Sequence, residues 1–188
     1  QYGPQAPAVT TEQANGLGIR EVVAEYTTGG FEYASGVNIG LTADIVNGAV
    51  VAPGETFSLN GYTGPRGTAQ GFVESGIIDN GRPDRAVGGG ISQFATTLYN
   101  ASYFAGMEDV DHTEHSYYIS RYPEGREATL DWRSIDNRFR NDSGHGLYLQ
   151  AGIVGNQVVV SFYGTKFMDV ESATSSRRNV RTPRTVYD

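Results

Sequence analysis

The sequence predicts an α+β fold in which two or three helices pack on antiparallel strands, arranged mostly as C-terminal hairpins. Apolar residues recur at helical spacing in three segments of the first 105 residues. After residue 106 the pattern changes to short strand-like runs separated by turn sequences. Helices followed by a run of strands are typical of α+β domains, and not of a parallel βαβ series.

Three segments carry helical patterns. A short helix is expected after Thr10 or Thr11, either of which can cap it, with apolar residues at helical spacing as far as Tyr26. A second helix is expected from about 37 to 50, before a Pro-Gly pair that ends it. A third is expected over 91–104, where one apolar stripe runs along the segment.

The strands are expected mainly in the second half of the chain. Phe57 and Leu59 alternate with polar neighbours as in a short strand, and a loop follows as far as Gly90. Within this loop, residues 71–81 fit either a helical turn or a strand. "HSYYISRY" and "EATLDWR" flank the turn sequence "PEG", which predicts a hairpin. "GLYLQAGIV" and "QVVVSFYG", separated by "GN", predict a second one.

Length and composition predict one main domain. The 188 residues divide into an extended arm over 1–10, an α+β domain over 11–165 and a polar, arginine-containing linker or tail over 166–188. A net charge of −7 with a single lysine argues against nucleic-acid binding. The absence of cysteine excludes disulfides and thiolate catalysis, and no apolar run is long enough to span a membrane.

The strongest candidate for chemistry is the junction "VGGGISQF", where three glycines lead into the third helix. Helix N-termini stabilise negative charge, so Ser92 could act as a nucleophile, with amides near Gly89, Gly90 and Gln93 receiving an oxyanion. The alternative is that Ser92 is an N-cap, which would contribute about 1 kcal/mol of stability. Phosphate-loop and hydrolase-elbow signatures do not fit, so Ser92 would need a separate base.

His115 is the candidate base, because it opens a predicted strand and can present its ring to a cleft. Asp131 and Asp136 lie near the facing end of the predicted hairpin, where either carboxylate could orient the imidazole. On a strand, His112 would point to the opposite face, so no metal site is expected. No cofactor is implied.

Several blocks in order resemble the VanW domain family: "NGAVVAPGETFSLN", "GGGISQFATTLYNA", "EHSYYISRYPEGREAT" and "IDNRFRND". The resemblance covers roughly residues 8–160. It implies an exported protein of the bacterial cell envelope, often anchored by an upstream membrane segment and associated with vancomycin-resistance clusters. Some members are understood to be L,D-transpeptidases that cross-link peptidoglycan stem peptides through a cysteine acyl-enzyme.

The family's cysteine corresponds to Ser92 in this chain. A hydroxyl needs a base during attack, whereas a thiol is partly ionised near neutral pH. Three explanations remain open: a natural serine variant that performs acyl transfer, a natural variant that has become a binding module, or a cysteine changed to serine.

Other family blocks also match. His115 and Ser116 correspond to a His-Ser pair, Arg126 and Glu127 fall in a block usually ending Arg-Asp-Ala-Thr, and Asp136 belongs to a D-x-x-F-x-N block.

The sequence therefore predicts a cell-wall domain that acts on peptidoglycan stem peptides by acyl transfer from Ser92, assisted by His115. Arg121 or Arg126 would hold a substrate carboxylate, and Tyr117 shares the strand face of His115. The main alternative is a non-catalytic peptidoglycan-binding or scaffold module, and a third is a serine hydrolase that acts on another ester or amide.

Overall fold

The computed structural model describes residues 10–79, 82–116 and 118–182. The expected arm over 1–10 lies outside these ranges except for Thr10. The helices are α1 (Thr11–Leu17), α2 (Tyr33–Val46), α3 (Leu59–Thr63) and α4 (Ser92–Phe104). The strands are β1 (Glu21–Gly29), β2 (Val50–Val51), β3 (Thr56–Ser58), β4 (Glu74–Asp79), β5 (Arg82–Val87), β6 (Glu108–Asp111), β7 (Arg138–Arg140), β8 (Leu147–Val154) and β9 (Gln157–Gly164).

The strands form antiparallel sheets, which confirms the α+β class. One sheet has the order β1-β9-β8-β2, a second has the order β3-β7-β6, and β4 pairs with β5. The predicted C-terminal hairpin is confirmed, because β8 and β9 pair on either side of a turn at Gly155 and Asn156. Residues 166–182 contain no helix or strand.

The core lies between the large sheet and two helices, since α4 packs on β1 and β9 while α2 packs on β8. Its fully buried side chains include Ile39 of α2, Phe94 and Leu98 of α4, and Val160 and Phe162 of β9. Each such side chain contributes about 1.5–3 kcal/mol through removal of apolar surface from water. Among the helices in the described ranges, none is both long and apolar enough to cross a membrane.

The expected first helix is shorter than its pattern suggested. Thr10 caps α1, because its Oγ1 accepts a hydrogen bond from Gln13 N at 3.2 Å while Gln13 Oε1 accepts from Thr10 N at 2.9 Å. Gly18 then takes φ +73°, and the helix ends at Leu17. Tyr26 belongs to β1, which pairs with β9 along most of its length, so sheet pairing overrides the helical spacing of the sequence.

Two expectations about the middle of the chain were wrong. The segment expected to be a loop up to Gly90 contains the paired strands β4 and β5; of the two alternatives for residues 71–81, the strand is confirmed over 74–79. The hairpin expected around "PEG" is not formed by the described residues of this segment, 115–116 and 118–133. There, two consecutive turns, closed by Tyr122 N to Ile119 O and by Arg126 N to Pro123 O, leave an irregular loop.

Candidate functional site

A cleft of about 1440 Å³ opens in front of the N-terminus of α4. Its walls come from four stretches of chain: residues 30–35 at the start of α2, the β4–β5 hairpin, residues 113–116 and 118–122 of the irregular loop, and residues 129–135. The floor holds the three glycines, Ser92 and Gln93. The fold thus brings the glycine junction and the loop that contains His115 to one concave surface. Concave surfaces of this kind are the usual ligand-binding sites of proteins.

The three glycines have different physical roles. Gly88 and Gly90 take φ +83° and +87°, a region that side chains rarely occupy. Gly89 is needed for close approach, since a Cβ there would lie 2.3 Å from the backbone oxygen of Ser75. At Gly90 a Cβ would also lie 2.4 Å from Ser35 Oγ. The glycines therefore let the backbone turn sharply against α2 and β4 before α4 begins.

The Asn38 side chain holds the turn formed by the three glycines in place. Its fully buried side chain donates from Nδ2 to Gly89 O at 2.9 Å and to Val73 O at 2.9 Å, and its Oδ1 accepts from Val73 N at 2.8 Å. A buried amide with all these bonds made is rigid, because breaking any of them leaves an unpaired polar group. The start of α4 is therefore held in place relative to α2.

Ser92 is the first residue of α4 and does not cap it. The capping position belongs to Ile91, which makes no side-chain cap bond. The Ser92 side chain is half-buried in the cleft, and its Oγ accepts a hydrogen bond from Leu130 N at 3.2 Å. Because that bond uses an oxygen lone pair, the hydroxyl proton remains available to an acceptor.

His115 forms a buried pair with Glu127. His115 Nδ1 lies 2.8 Å from Glu127 Oε2, and the two side chains are only 6% and 8% exposed. Thr129 N donates to Thr113 O at 2.7 Å. His115 follows Thr113 by two residues and Glu127 precedes Thr129 by two, so the two residues face each other. This register corrects the expectation that Asp131 or Asp136 would orient the imidazole.

The surroundings of His115 favour its neutral form. Burial lowers the pKa of His115, and the Glu127 carboxylate opposes this effect only in part. The Tyr122 ring stacks on the imidazole with centroids 5.9 Å apart, and burial raises the pKa of this tyrosine. With Nδ1 directed at Glu127, the remaining nitrogen, Nε2, carries the lone pair of a base.

Ser92 and His115 line the same cleft, but their side chains have different hydrogen-bond partners. Within residues 10–79, 82–116 and 118–182, no hydrogen bond joins the serine oxygen to the imidazole. Catalytic hydrogen bonds often tighten only when substrate is bound.

Of the three amides expected to receive an oxyanion, two are already engaged. Gly89 N donates to Ala86 O at 3.1 Å, and Gln93 N donates to Gly90 O at 3.0 Å. The Gln93 side chain is buried and donates from Nε2 to Thr28 Oγ1 and to Gly29 O, so it braces β1. Gly90 N has no acceptor in the described part of the chain.

The two aspartates have structural partners. Asp136 accepts bonds from Ser58 Oγ at 2.5 Å, Asn60 N at 2.9 Å and Asn137 N at 2.8 Å, and it does not line the cleft. Asp131 lines the cleft, but its Oδ2 accepts from the backbone and side chain of the turn that follows it. The Ser134 hydroxyl bond is the main cause that lowers the pKa of Asp131.

The two arginines expected to bind substrate lie in different places. Arg121 is exposed in the cleft, with its guanidinium 5.1 Å from the centroid of the Tyr122 ring. Arg126 lies outside the cleft lining, where it donates to Asn100 Oδ1 at 2.8 Å and lies over the rings of Tyr103 and Phe104. Tyr117 lies outside the described residues.

His112 has its own partners at the edge of α4. Its Nδ1 lies 2.7 Å from Asp109 Oδ2, and its ring stacks on Tyr99 with centroids 4.1 Å apart. The described ranges contain no group of three His, Cys, Asp or Glu side chains that could hold a metal ion.

Glu127 is the site residue that reasoning from the residues did not select. The available signal was the acidic position of the block "REAT", which the resemblance placed among the matching blocks. Spacing alone predicted a different partner for His115, because the expected hairpin was centred on Glu124. The observed pairing of Thr113 with Thr129 is centred on Arg121.

Comparison with known proteins supports the resemblance read from the sequence. The model of the family described as VanW like protein matches residues 34–163. An uncharacterised protein of Bacillus subtilis (strain 168), YoaR, is 32% identical over 149 residues, which cover 79% of this chain and 49% of that protein. The chain thus spans about half the length of this relative, and no solved structure matches it. Since the family match extends over most of the chain, the protein belongs to the VanW-like family.

Proposed function

We propose that the protein is a cell-envelope acyltransferase that acts on peptidoglycan stem peptides, with Ser92 as nucleophile and His115 as general base. The observation that carries the proposal is that His115, which lines the same cleft as Ser92, is paired with the buried carboxylate of Glu127. A nucleophile, a base and an orienting carboxylate are the parts that acyl transfer needs. The substrate class rests on membership of the VanW-like family.

The chemical step uses groups on both sides of the cleft. Ser92 Oγ attacks the carbonyl carbon of a stem-peptide amide while His115 Nε2 takes the hydroxyl proton. When the C–N bond breaks, that proton passes to the leaving amine, and an ester between Oγ and the acyl carbon remains. An amine or water then attacks the ester, and its proton returns through His115 to Ser92.

Two features of the site assist this step. The Gly90 amide, at the positive end of α4, lies on the cleft floor beside Ser92 and would stabilise an oxyanion. Arg121 lines the same cleft, where its Nη1 donates to Gly30 O at 3.4 Å, and its remaining N–H groups would bind a stem-peptide carboxylate. Both groups are positive or electron-poor, which suits an anionic peptide despite the acidic net charge of the chain.

The direct test is intact mass measurement after incubation with a defined stem tetrapeptide or pentapeptide. We expect an adduct whose mass equals the peptide acyl group, its loss in Ser92→Ala, and faster formation in Ser92→Cys because a thiolate is the better nucleophile. Absence of any adduct or product in both the wild type and Ser92→Cys, under conditions where the peptide binds, would overturn the proposal.

One observation favours a second candidate, a non-catalytic peptidoglycan-binding module. Ser92 Oγ accepts from Leu130 N, and no bond to His115 is formed within the described residues. Such a module would bind stem peptides saturably through Arg121 without turnover. Calorimetry with the same peptides, run beside the mass measurement, separates the two candidates.

The cellular location is part of the proposal. A protein that acts on peptidoglycan works outside the cytoplasmic membrane, so we expect the full-length protein in the envelope fraction of the producing bacterium. Recovery of the protein only in the cytosolic fraction would contradict this expectation.

A further inference from the structure

Trp132 is the only tryptophan of the chain. It belongs to the turn over 131–135, which forms a rim of the cleft because Asp131, Ser134 and Ile135 line it. The Trp132 side chain is 43% exposed. An indole beside a cleft can contribute to ligand binding, because it offers a large flat apolar surface together with an N–H donor.

The turn that carries Trp132 is held rigid by its own bonds. Asp131 and Ile135 exchange both backbone bonds, at 3.0 and 3.2 Å, and Asp131 Oδ2 accepts from Arg133 N at 2.9 Å and Ser134 N at 3.0 Å. The side chain is thus presented on a pre-organised support, which lowers the entropic cost of binding a ligand.

One face of the indole is already covered. The Arg66 guanidinium lies over it, 5.5 Å from the ring centroid, and is held there by Asn60 Oδ1 at 2.8 Å and Thr63 Oγ1 at 3.0 Å. Since the residue is still 43% exposed, we infer that the free surface lies on the side of the ring that Arg66 does not cover. Around it lie the polar side chains of Arg133 and Ser134, both exposed.

We propose that the free face of Trp132 binds a saccharide, namely an N-acetylated hexosamine ring of a glycan strand. A pyranose ring has an apolar face of C–H groups and a polar rim, which match a flat aromatic surface bordered by hydrogen-bonding side chains. The choice of this sugar rests on the proposed function, since stem peptides are attached to such glycans. The glycan would lie along the rim at 131–135 while its peptide enters the cleft.

The experiment uses the intrinsic fluorescence of the single tryptophan. On titration with the tetramer of N-acetylglucosamine, which carries no peptide, we expect a saturable change in Trp132 emission. Calorimetry should show that Trp132→Ala weakens binding of the tetramer by about tenfold or more, whereas Trp132→Phe, which keeps an aromatic ring, retains most of the affinity. Phe167→Ala is the matched control, because Phe167 is a 38% exposed aromatic residue in a segment that does not line the cleft, and its loss should leave affinity unchanged.

Two results would overturn the inference: no emission change with the tetramer at millimolar concentration, or an equal change with a stem tetrapeptide that lacks sugar. Circular dichroism confirms that each variant is folded, and the wild-type titration decides the question if Trp132→Ala does not fold. The Ser92→Ala variant should bind the tetramer like the wild type. The two proposals are therefore tested independently. Peptide adducts without binding of the tetramer would disprove only the saccharide site, and binding of the tetramer without peptide adducts would disprove only acyl transfer.

Discussion

His115 Nδ1 and Glu127 Oε2 are 2.8 Å apart in the wall of the cleft, where both side chains are almost completely buried. A carboxylate in this position fixes the imidazole tautomer and stabilises the imidazolium that forms when the base takes a proton. An isosteric glutamine at 127 removes the charge and offers an NH2 donor to Nδ1, so it disturbs both effects while keeping the shape of the site.

Glu127→Gln should therefore slow acylation by about 10²- to 10⁴-fold. The measurement is the rate of appearance of the Ser92 adduct by mass spectrometry. Glu124→Gln is the matched control, because Glu124 belongs to the same loop but pairs with Arg177 at the surface. Equal rates for Glu127→Gln and the wild type would show that the pair has only a structural role.

The lowered pKa of His115 predicts how stability depends on pH. In the unfolded chain the imidazole titrates near about 6.5, whereas burial lowers the pKa of His115 in the folded protein. The unfolded state therefore binds more protons as the pH falls below about 6.5, and the free energy of unfolding decreases there. This contribution is fully present above that pH.

Urea denaturation at several pH values between 5 and 8, a range of about three units around the histidine pKa, measures the effect. His115→Gln should reduce the slope of the unfolding free energy against pH. Identical slopes in the variant and the wild type would contradict the assignment of a neutral His115.

Alanine substitutions in the glycine junction can separate two reasons for glycine: the lack of space for a Cβ atom and a left-handed backbone conformation. Gly89→Ala places a Cβ 2.3 Å from Ser75 O and should cost about 3 kcal/mol, because backbone must move. Gly88→Ala meets its nearest neighbour at 3.4 Å and should cost only the left-handed strain of about 1–2 kcal/mol. Urea denaturation compares the two variants. Equal losses would mean that packing against Ser75 adds nothing to the requirement for glycine.

The two arginines should differ in what their removal changes. Arg121→Ala should weaken binding of a stem tetrapeptide by about tenfold with little change in stability, because Arg121 is exposed in the cleft. Arg126→Ala should lower the unfolding free energy by about 1–3 kcal/mol, because the fully buried Asn100 loses the donor to its Oδ1. Calorimetry and urea denaturation of both variants check the two effects. If Arg126→Ala weakened peptide binding as much as Arg121→Ala, the substrate contact would have to be reassigned.

Some parts of the fold follow directly from local pattern. The helix expected over 91–104 corresponds to α4 within one residue, since its apolar stripe and leading glycines are local signals. The β8–β9 hairpin is equally local, because its turn pair and alternating strands specify the register. Ser92 could be placed at the start of a glycine-led helix for the same reason.

Other parts depend on contacts between distant segments. Residues 21–29 join a sheet through β9, which follows more than 120 residues later in the chain, so their helical spacing was misleading. Asp136 was expected beside His115, yet its carboxylate is held by Ser58 and Asn60.

By itself, the sequence determined the fold class, the family and the position of Ser92 at the head of α4, because each depends on neighbouring residues or on motifs in order. Only the tertiary structure decided that Glu127 is the partner of His115. Two consecutive turns set the register of that loop, and a shift of a few residues in such a pairing changes which side chains face each other.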